Sequence, residues 1–492
     1  MPRLARDSAF NLIGQGVPFL AALFAIPLLI RGLGTDRFGV LTLAWMVVGY
    51  FSLFDLGLGR ALTQVVAEQL GEGGTLRAPP VVWAALGLML ALGSLGAAVL
   101  ALMSPWLVHS ALKVPAALQP ETLLSFYVLA AAIPIVVVTA GLAGILSAFQ
   151  RFGVLNAIRA PMGIYSFLAP LTILPFSQSL LLVTAVLVVG RLLACGAHLI
   201  ACLPVMPGLR SVVVLRYSAV RPLFHFGAWM SVTNVIGPLM VYLDRFVVGA
   251  IVSVAAVAYY ATPYELVTRL LIVPGAILGV LFPAFAASYR QDHDGMVRLF
   301  VRGTKYIALL LFPVVLVITA FAHEGLRWWL GDEFAQHSSP VLQCLAIGVF
   351  INSLAQLFAT LVQGVGRPDL TAKLHVLELP IYLPSLWWVI HSYGVIGAAM
   401  VWTGRVALDG VLLFWLSRRV LDRPVLLNRV MAGLLAAVAA LAAPLLVPAM
   451  APRAATVLLI LVAFVSTTWL VVLAEDERGA IKGRVDWVWA RP

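Results

Sequence analysis

From Ser8 almost to its end, the chain is a train of apolar runs broken by short connectors that carry charges, prolines or glycines. A helix crosses the hydrocarbon core of a bilayer in about 20 apolar residues, and the runs have that length. They predict spans near 8–31, 38–60, 79–104, 120–149, 153–174 and 179–203. Further spans are expected near 222–250, 255–288, 297–322, 338–363, 370–391, 394–417, 428–450 and 453–474. The fold class that follows is an all-α polytopic membrane protein with 14 transmembrane helices. Composition agrees, with 62% hydrophobic and 11% charged residues and a mean hydropathy of +1.02. A soluble protein of this size keeps roughly 25% charged residues.

The 32 Lys and Arg residues give an orientation. With a cytoplasmic N-terminus, 21 fall on the inner side, five on the outer side (Arg31, Arg37, Lys113, Arg327, Arg453) and six within spans. That bias fits the positive-inside rule with both termini cytoplasmic. The run after MPRLAR has no small-residue cleavage site and is too long for a signal-peptide core, so it reads as a retained first span. The net charge of +11 therefore resides in connectors, and no basic face for nucleic acid is expected. The largest outer connectors, 105–119 and 323–337, are too short for a catalytic domain, and only the second carries carboxylates: Glu324, Asp332 and Glu333. A membrane glycosyltransferase or glycan polymerase is thereby disfavoured, and no enzyme is expected. The three cysteines lie in apolar runs and the eight histidines lack ligand spacing, so neither metal nor cofactor is expected.

Two stretches recur. SAFQRFGVLNAIRAP (147–161) resembles TLVQGVGRPDLTAKL (360–374), which aligns Gln150 with Gln363 and Gly153 with Gly366. AEQLGEGG (67–74) resembles ASYRQDHDGM (287–296) in the same order. Six spans followed by six in the same orientation form a parallel repeat, the plan of a transporter that rocks about a midplane site. The expected domains are an N-lobe (1–203), a cytoplasmic linker (204–221) and a C-lobe (222–417). Two additional spans (418–474) and a cytoplasmic tail (475–492) complete the chain.

Residues 10–68 resemble the Wzx-type polysaccharide (O-antigen) flippases of the MOP exporter superfamily, which also holds the MATE drug exporters and the lipid II flippases. The resemblance rests on the turn bearing Gly34, Phe38 and Gly39, on DLGLGRALT (55–63), and further along on QRFG (150–153) and QGVGRPDL (363–370). It implies a V-shaped pair of six-helix lobes in a bacterial inner membrane, with spans 1, 2, 7 and 8 lining a central cavity. The implied substrate is a polyprenyl-pyrophosphate-linked oligosaccharide moved from the cytoplasmic to the periplasmic leaflet. Membrane lipids and polysaccharide polymerase or assembly proteins are the implied partners. A lipid II flippase and a MATE-type cation/drug antiporter are the alternatives within the superfamily. The sequence departs from the pattern at Arg60, where the family often has a small residue.

An ionisable residue deep in a span should face a cavity or a partner. Glu265 and Arg269 sit four apart near the middle of span eight, on one face, and Arg405 and Asp409 repeat that spacing on span twelve. Asp244 and Arg245 are adjacent on span seven, and Arg191 is mid-span in six. Arg159 and Lys305 begin their spans and can snorkel. Arg269 and Arg245 are the candidate clamps for a diphosphate, since a planar guanidinium suits phosphate oxygens. Arg60 can snorkel to the headgroups or meet substrate, with Asp55 about one turn deeper. Glu265, Asp55 and Asp244 either neutralise neighbouring arginines or carry a coupling proton or sodium ion. Asn11, Gln15, Asn234 and Tyr264 are candidates for sugar hydroxyls. Gly57 and Gly59 would let helices approach closely.

Overall fold

The computed structural model describes residues 2–51, 59, 62–63, 66, 78–210, 242–473, 475 and 478. Among the described residues every regular element is a helix. The first are α1 (Pro2–Leu33), α2 (Thr35–Phe51), α3 (Ala78–Trp106), α4 (Gln119–Ala148), α5 (Phe152–Ile173) and α6 (Leu180–Val205). A helical stretch at 242–251 leads to α7 (Val254–Thr268), α8 (Ile272–Gln291), α9 (His293–Ala320) and α10 (Ala322–Leu330). Then come α11 (Asp332–Gly364), α12 (Pro368–Tyr393), α13 (Val395–Leu421), α14 (Pro424–Ala442) and α15 (Met450–Thr467).

Nine helical stretches among the described residues are long and apolar enough to cross a bilayer. They coincide with expected spans three, four, six, eight to ten and twelve to fourteen. The protein is an all-helical membrane protein. Its outward side chains agree: Leu102, Phe176 and Leu446 are more than four-fifths exposed, a disposition that lipid accommodates and water penalises.

Packing divides the chain into two compact units, Met1–Ala258 and Tyr259–Pro492. In the first, α4 packs against α3 and α6, and α1 against α5. The turn between α1 and α2 explains the Gly34–Phe38–Gly39 motif. Gly34 adopts φ +79°, a left-handed conformation that side chains resist, and accepts from the Phe38 N–H at 3.0 Å. Phe38 is fully buried, edge-on to Trp45. Gly39 lies against the start of α7, where a Cβ would come within 1.9 Å of the Val254 carbonyl oxygen. Close approach also holds the end of span two. The Thr63 hydroxyl lies 2.8 Å from the Gly59 carbonyl and 3.0 Å from that of Gly144 on α4. A Cβ on Gly144 would meet the Gly59 oxygen at 2.6 Å. Gly57 lies outside the described residues.

In the second unit α11 is the central helix, packed against α9, α10 and α13, with α12 laid on α13. The connector expected at 323–337 is largely helical. Residues Ala322–Leu330 form α10, which buries Ala322 and Leu326 and leaves Trp328 88% exposed. α11 begins at Asp332, after a turn at Gly331 with φ +93°.

The two turns that the sequence alignment pairs share a backbone form, in a register three residues from that alignment. The α4–α5 turn has Gln150 at φ 55°, with hydrogen bonds from Gln150 N to Ser147 O and from Arg151 N to Leu146 O. The α11–α12 turn has Gly366 at φ 83°, with bonds from Gly366 N to Gln363 O and from Arg367 N to Val362 O. Both are Schellman motifs, so Gln150 corresponds to Gly366, not to Gln363. The shared glutamine in the two sequences misplaces the alignment by three residues, close to one helical turn.

Candidate functional site

Of the residues singled out in the sequence, Asp55, Arg60 and Asn234 lie outside the described residues, as do the side chains of Asn11 and Gln15 in α1. The remaining candidates fall into two groups, one in each unit.

In the second unit the eighth span tightens to a 3₁₀ turn at Arg269–Leu271 within one continuous helical stretch. The expected helix over 255–288 is α7, that turn and α8 in succession. Pro274 explains the position of the turn. It has no N–H to donate to the Leu270 carbonyl, and its ring crowds that oxygen, so the preceding turn tightens. Arg269 reaches back to Glu265, 3.6 Å away, and the side chains are 36% and 47% exposed. That exposure leaves the pair reachable by a ligand. Tyr264, one turn earlier, is buried edge-on against Trp402.

In the first unit Asp244 and Arg245 are both buried. Asp244 accepts a hydrogen bond from the Arg245 backbone N–H at 2.7 Å, and the Arg245 guanidinium lies 5.5 Å from the Tyr242 ring centre. The end of this helix is fastened where the Lys113 N–H donates to Gly249 O at 3.0 Å and its ammonium donates to Ile251 O. Arg269 is therefore accessible and Arg245 covered.

Arg405 and Asp409 do not form the mutual pair that their spacing allowed. Each reaches across to α12: Arg405 to Glu378 at 3.8 Å and Asp409 to His375 at 3.7 Å. His375 and Glu378 are the residues that the sequence reading passed over. Their signal was visible as two ionisable residues three apart inside an expected span (LHVLELP, 374–380). The three carboxylates of the 323–337 connector are all engaged in ties. Glu324 bonds Arg453 at 3.0 Å, Asp332 pairs with Arg327 at 2.7 Å, and Glu333 accepts from the Tyr259 hydroxyl.

Comparison with known proteins identifies the family and the fold. The model of a polysaccharide biosynthesis protein family matches residues 28–340. A candidate O-antigen transporter of Shigella flexneri is 31% identical over 85% of this chain and 98% of its own length. The lipopolysaccharide biosynthesis protein WzxC of Escherichia coli K12 is 26% identical over 39% of this chain and 38% of its own. Among solved structures, an inward-facing multidrug MATE transporter of the MOP superfamily superposes with TM-score 0.69 at 15% identity, covering 85% of this chain and 99% of that one. The lipid II flippase MurJ in an inward closed conformation gives 0.68 at 13% identity, over 94% and 99%. The fold is that of the MOP exporters. The chain belongs to the polysaccharide biosynthesis protein family.

Proposed function

We propose that the protein flips a polyprenyl-pyrophosphate-linked oligosaccharide from the cytoplasmic to the periplasmic leaflet of a bacterial inner membrane, for surface polysaccharide synthesis. The full-length similarity to the Shigella flexneri protein carries this reading. The arrangement in the membrane is taken to be fourteen spans, with an N-lobe (1–203), a linker (204–221), a C-lobe (222–417), two further spans and a tail, and with both termini cytoplasmic. The two lobes rock around a basic cavity. Arg269 is the leading diphosphate ligand, because it combines partial exposure with a place at a tightened turn of the eighth span. Arg245, Arg60, Glu265, Asp55, Asp244, Asn11, Gln15 and Asn234 complete the proposed set. A phosphate oxygen competes with Glu265 for the Arg269 guanidinium, so binding trades one ion pair for a charge-assisted, bidentate one.

The test uses a strain lacking its own copy of the gene, complemented with wild type or with Arg269→Ala. Wild type restores surface glycan. The variant, inserted at normal levels, leaves glycan absent and lipid-linked precursor accumulated. Normal surface glycan with Arg269→Ala removes that residue from the mechanism. Loss of cell-wall precursor export in the deletion strain, with surface glycan intact, would instead favour a lipid II flippase.

A further inference from the structure

Between α12 and α13 lies a cluster of four ionisable side chains that the proposed substrate site does not use. His375, Glu378 and Tyr382 share one face of α12, and Arg405 and Asp409 share one face of α13. His375 Nε2 stands 3.7 Å from Asp409 Oδ2, and Arg405 Nη1 stands 3.8 Å from Glu378 Oε2. The Arg405 guanidinium is 5.6 Å from the Tyr382 ring centre. Glu378 is 5% exposed and Asp409 8%. Neither Glu378 oxygen accepts a hydrogen bond, and neither does Asp409 Oδ1.

The charges do not balance. Two carboxylates face one guanidinium, so a neutral imidazole leaves the cluster one negative charge in excess. A buried carboxylate with no donor is among the costliest groups to keep ionised, and the usual escape is to take up a proton. The charges acting on Glu378 are those of Asp409, Arg405 and His375. α11, which packs against both helices, brings no Asp, Glu, His, Lys or Arg between residues 338 and 364. Nothing from that side supplies the missing charge.

We infer that His375, Glu378, Arg405 and Asp409 form a proton-exchange site that holds one proton in the packed state. His375, with its side chain 43% exposed, is the group through which that proton enters and leaves. Asp409 sits between it and the deeper Glu378–Arg405 pair. A metal cation is a poor fit, because it asks for a shell of oxygen ligands where this cluster presents a guanidinium and an imidazole. Release of the proton leaves a net charge buried at the α12–α13 contact, so the packing of these two helices depends on proton occupancy. Use of the proton to drive glycan export rests on the flippase reading; the proton itself does not.

The test measures melting of the full-length protein in detergent without substrate, from mildly acidic to alkaline pH. Wild type loses melting temperature as pH rises and the proton leaves. Glu378→Gln and Asp409→Asn each remove the surplus negative charge, so each flattens that slope; either variant alone suffices if the other does not fold. A wild type with no slope, or a slope kept in both variants, overturns the inference. Repeating the wild-type scan in sodium and in choline buffers separates the ligands. A slope abolished by sodium would overturn the proton in favour of a metal cation.

Discussion

Gly39→Ala tests how the first unit is held together. The added Cβ would stand 1.9 Å from the Val254 carbonyl oxygen and 2.6 Å from its carbon. Carbon and oxygen settle at about 3.3 Å, so the starts of α2 and α7 must part by roughly 1.4 Å. Phe38, Val40, Leu41, Leu43 and Val254 are all fully buried around that contact. A buried side chain of leucine size makes 40–60 contacts of about 0.1–0.2 kcal/mol each. If the separation forfeits about a tenth of that over five side chains, the loss is roughly 3–4 kcal/mol. Packing is the relevant quantity because lipid replaces water as the alternative environment. The helix propensity of alanine returns about 1 kcal/mol, leaving a net cost of about 2–3 kcal/mol. Melting followed by loss of monodispersity in detergent should show a drop of roughly 2–6 °C, the upper end if the first unit melts by itself. Gly196→Ala is the control: its Cβ meets nothing within 4 Å, so it should melt at or slightly above the wild-type temperature. A Gly39→Ala protein that melts with wild type refutes the close approach.

Two further substitutions probe features that only the structure shows. Gln150→Gly should stabilise by about 1 kcal/mol, because it relieves a left-handed residue that costs about 1–2 kcal/mol, and the same assay reads it as a small rise. Arg453 donates to the carbonyls of Val447, Pro448 and Ala320 and to Glu324, fastening α15 to the end of α9. Arg453→Ala should cost about 2–4 kcal/mol from lost charge-assisted bonds, and limited proteolysis should show faster cleavage ahead of α15.

Much of the fold was legible. Nine spans and the motif glycines could be read along the chain, because apolar length and the avoidance of positive φ by side chains are local properties. The site was legible only in part. Glu265 and Arg269 were paired correctly because i,i+4 spacing decides contact on one helix. The same rule failed for Arg405 and Asp409, since opposite charges on α12 stood nearer in space.

The sequence by itself determined that the chain is helical, that it belongs in a membrane, and where most helices run. Only the tertiary structure decided that span eight tightens to a 3₁₀ turn at Arg269, that Gln150 and Gly366 each take the left-handed place in a Schellman turn, and that four charges meet between α12 and α13. The physical reason is one of range. Hydropathy and backbone preference act over a turn or a span of the same helix. Charge balance in a low-dielectric interior is set by whichever neighbours the packing brings within a few ångströms.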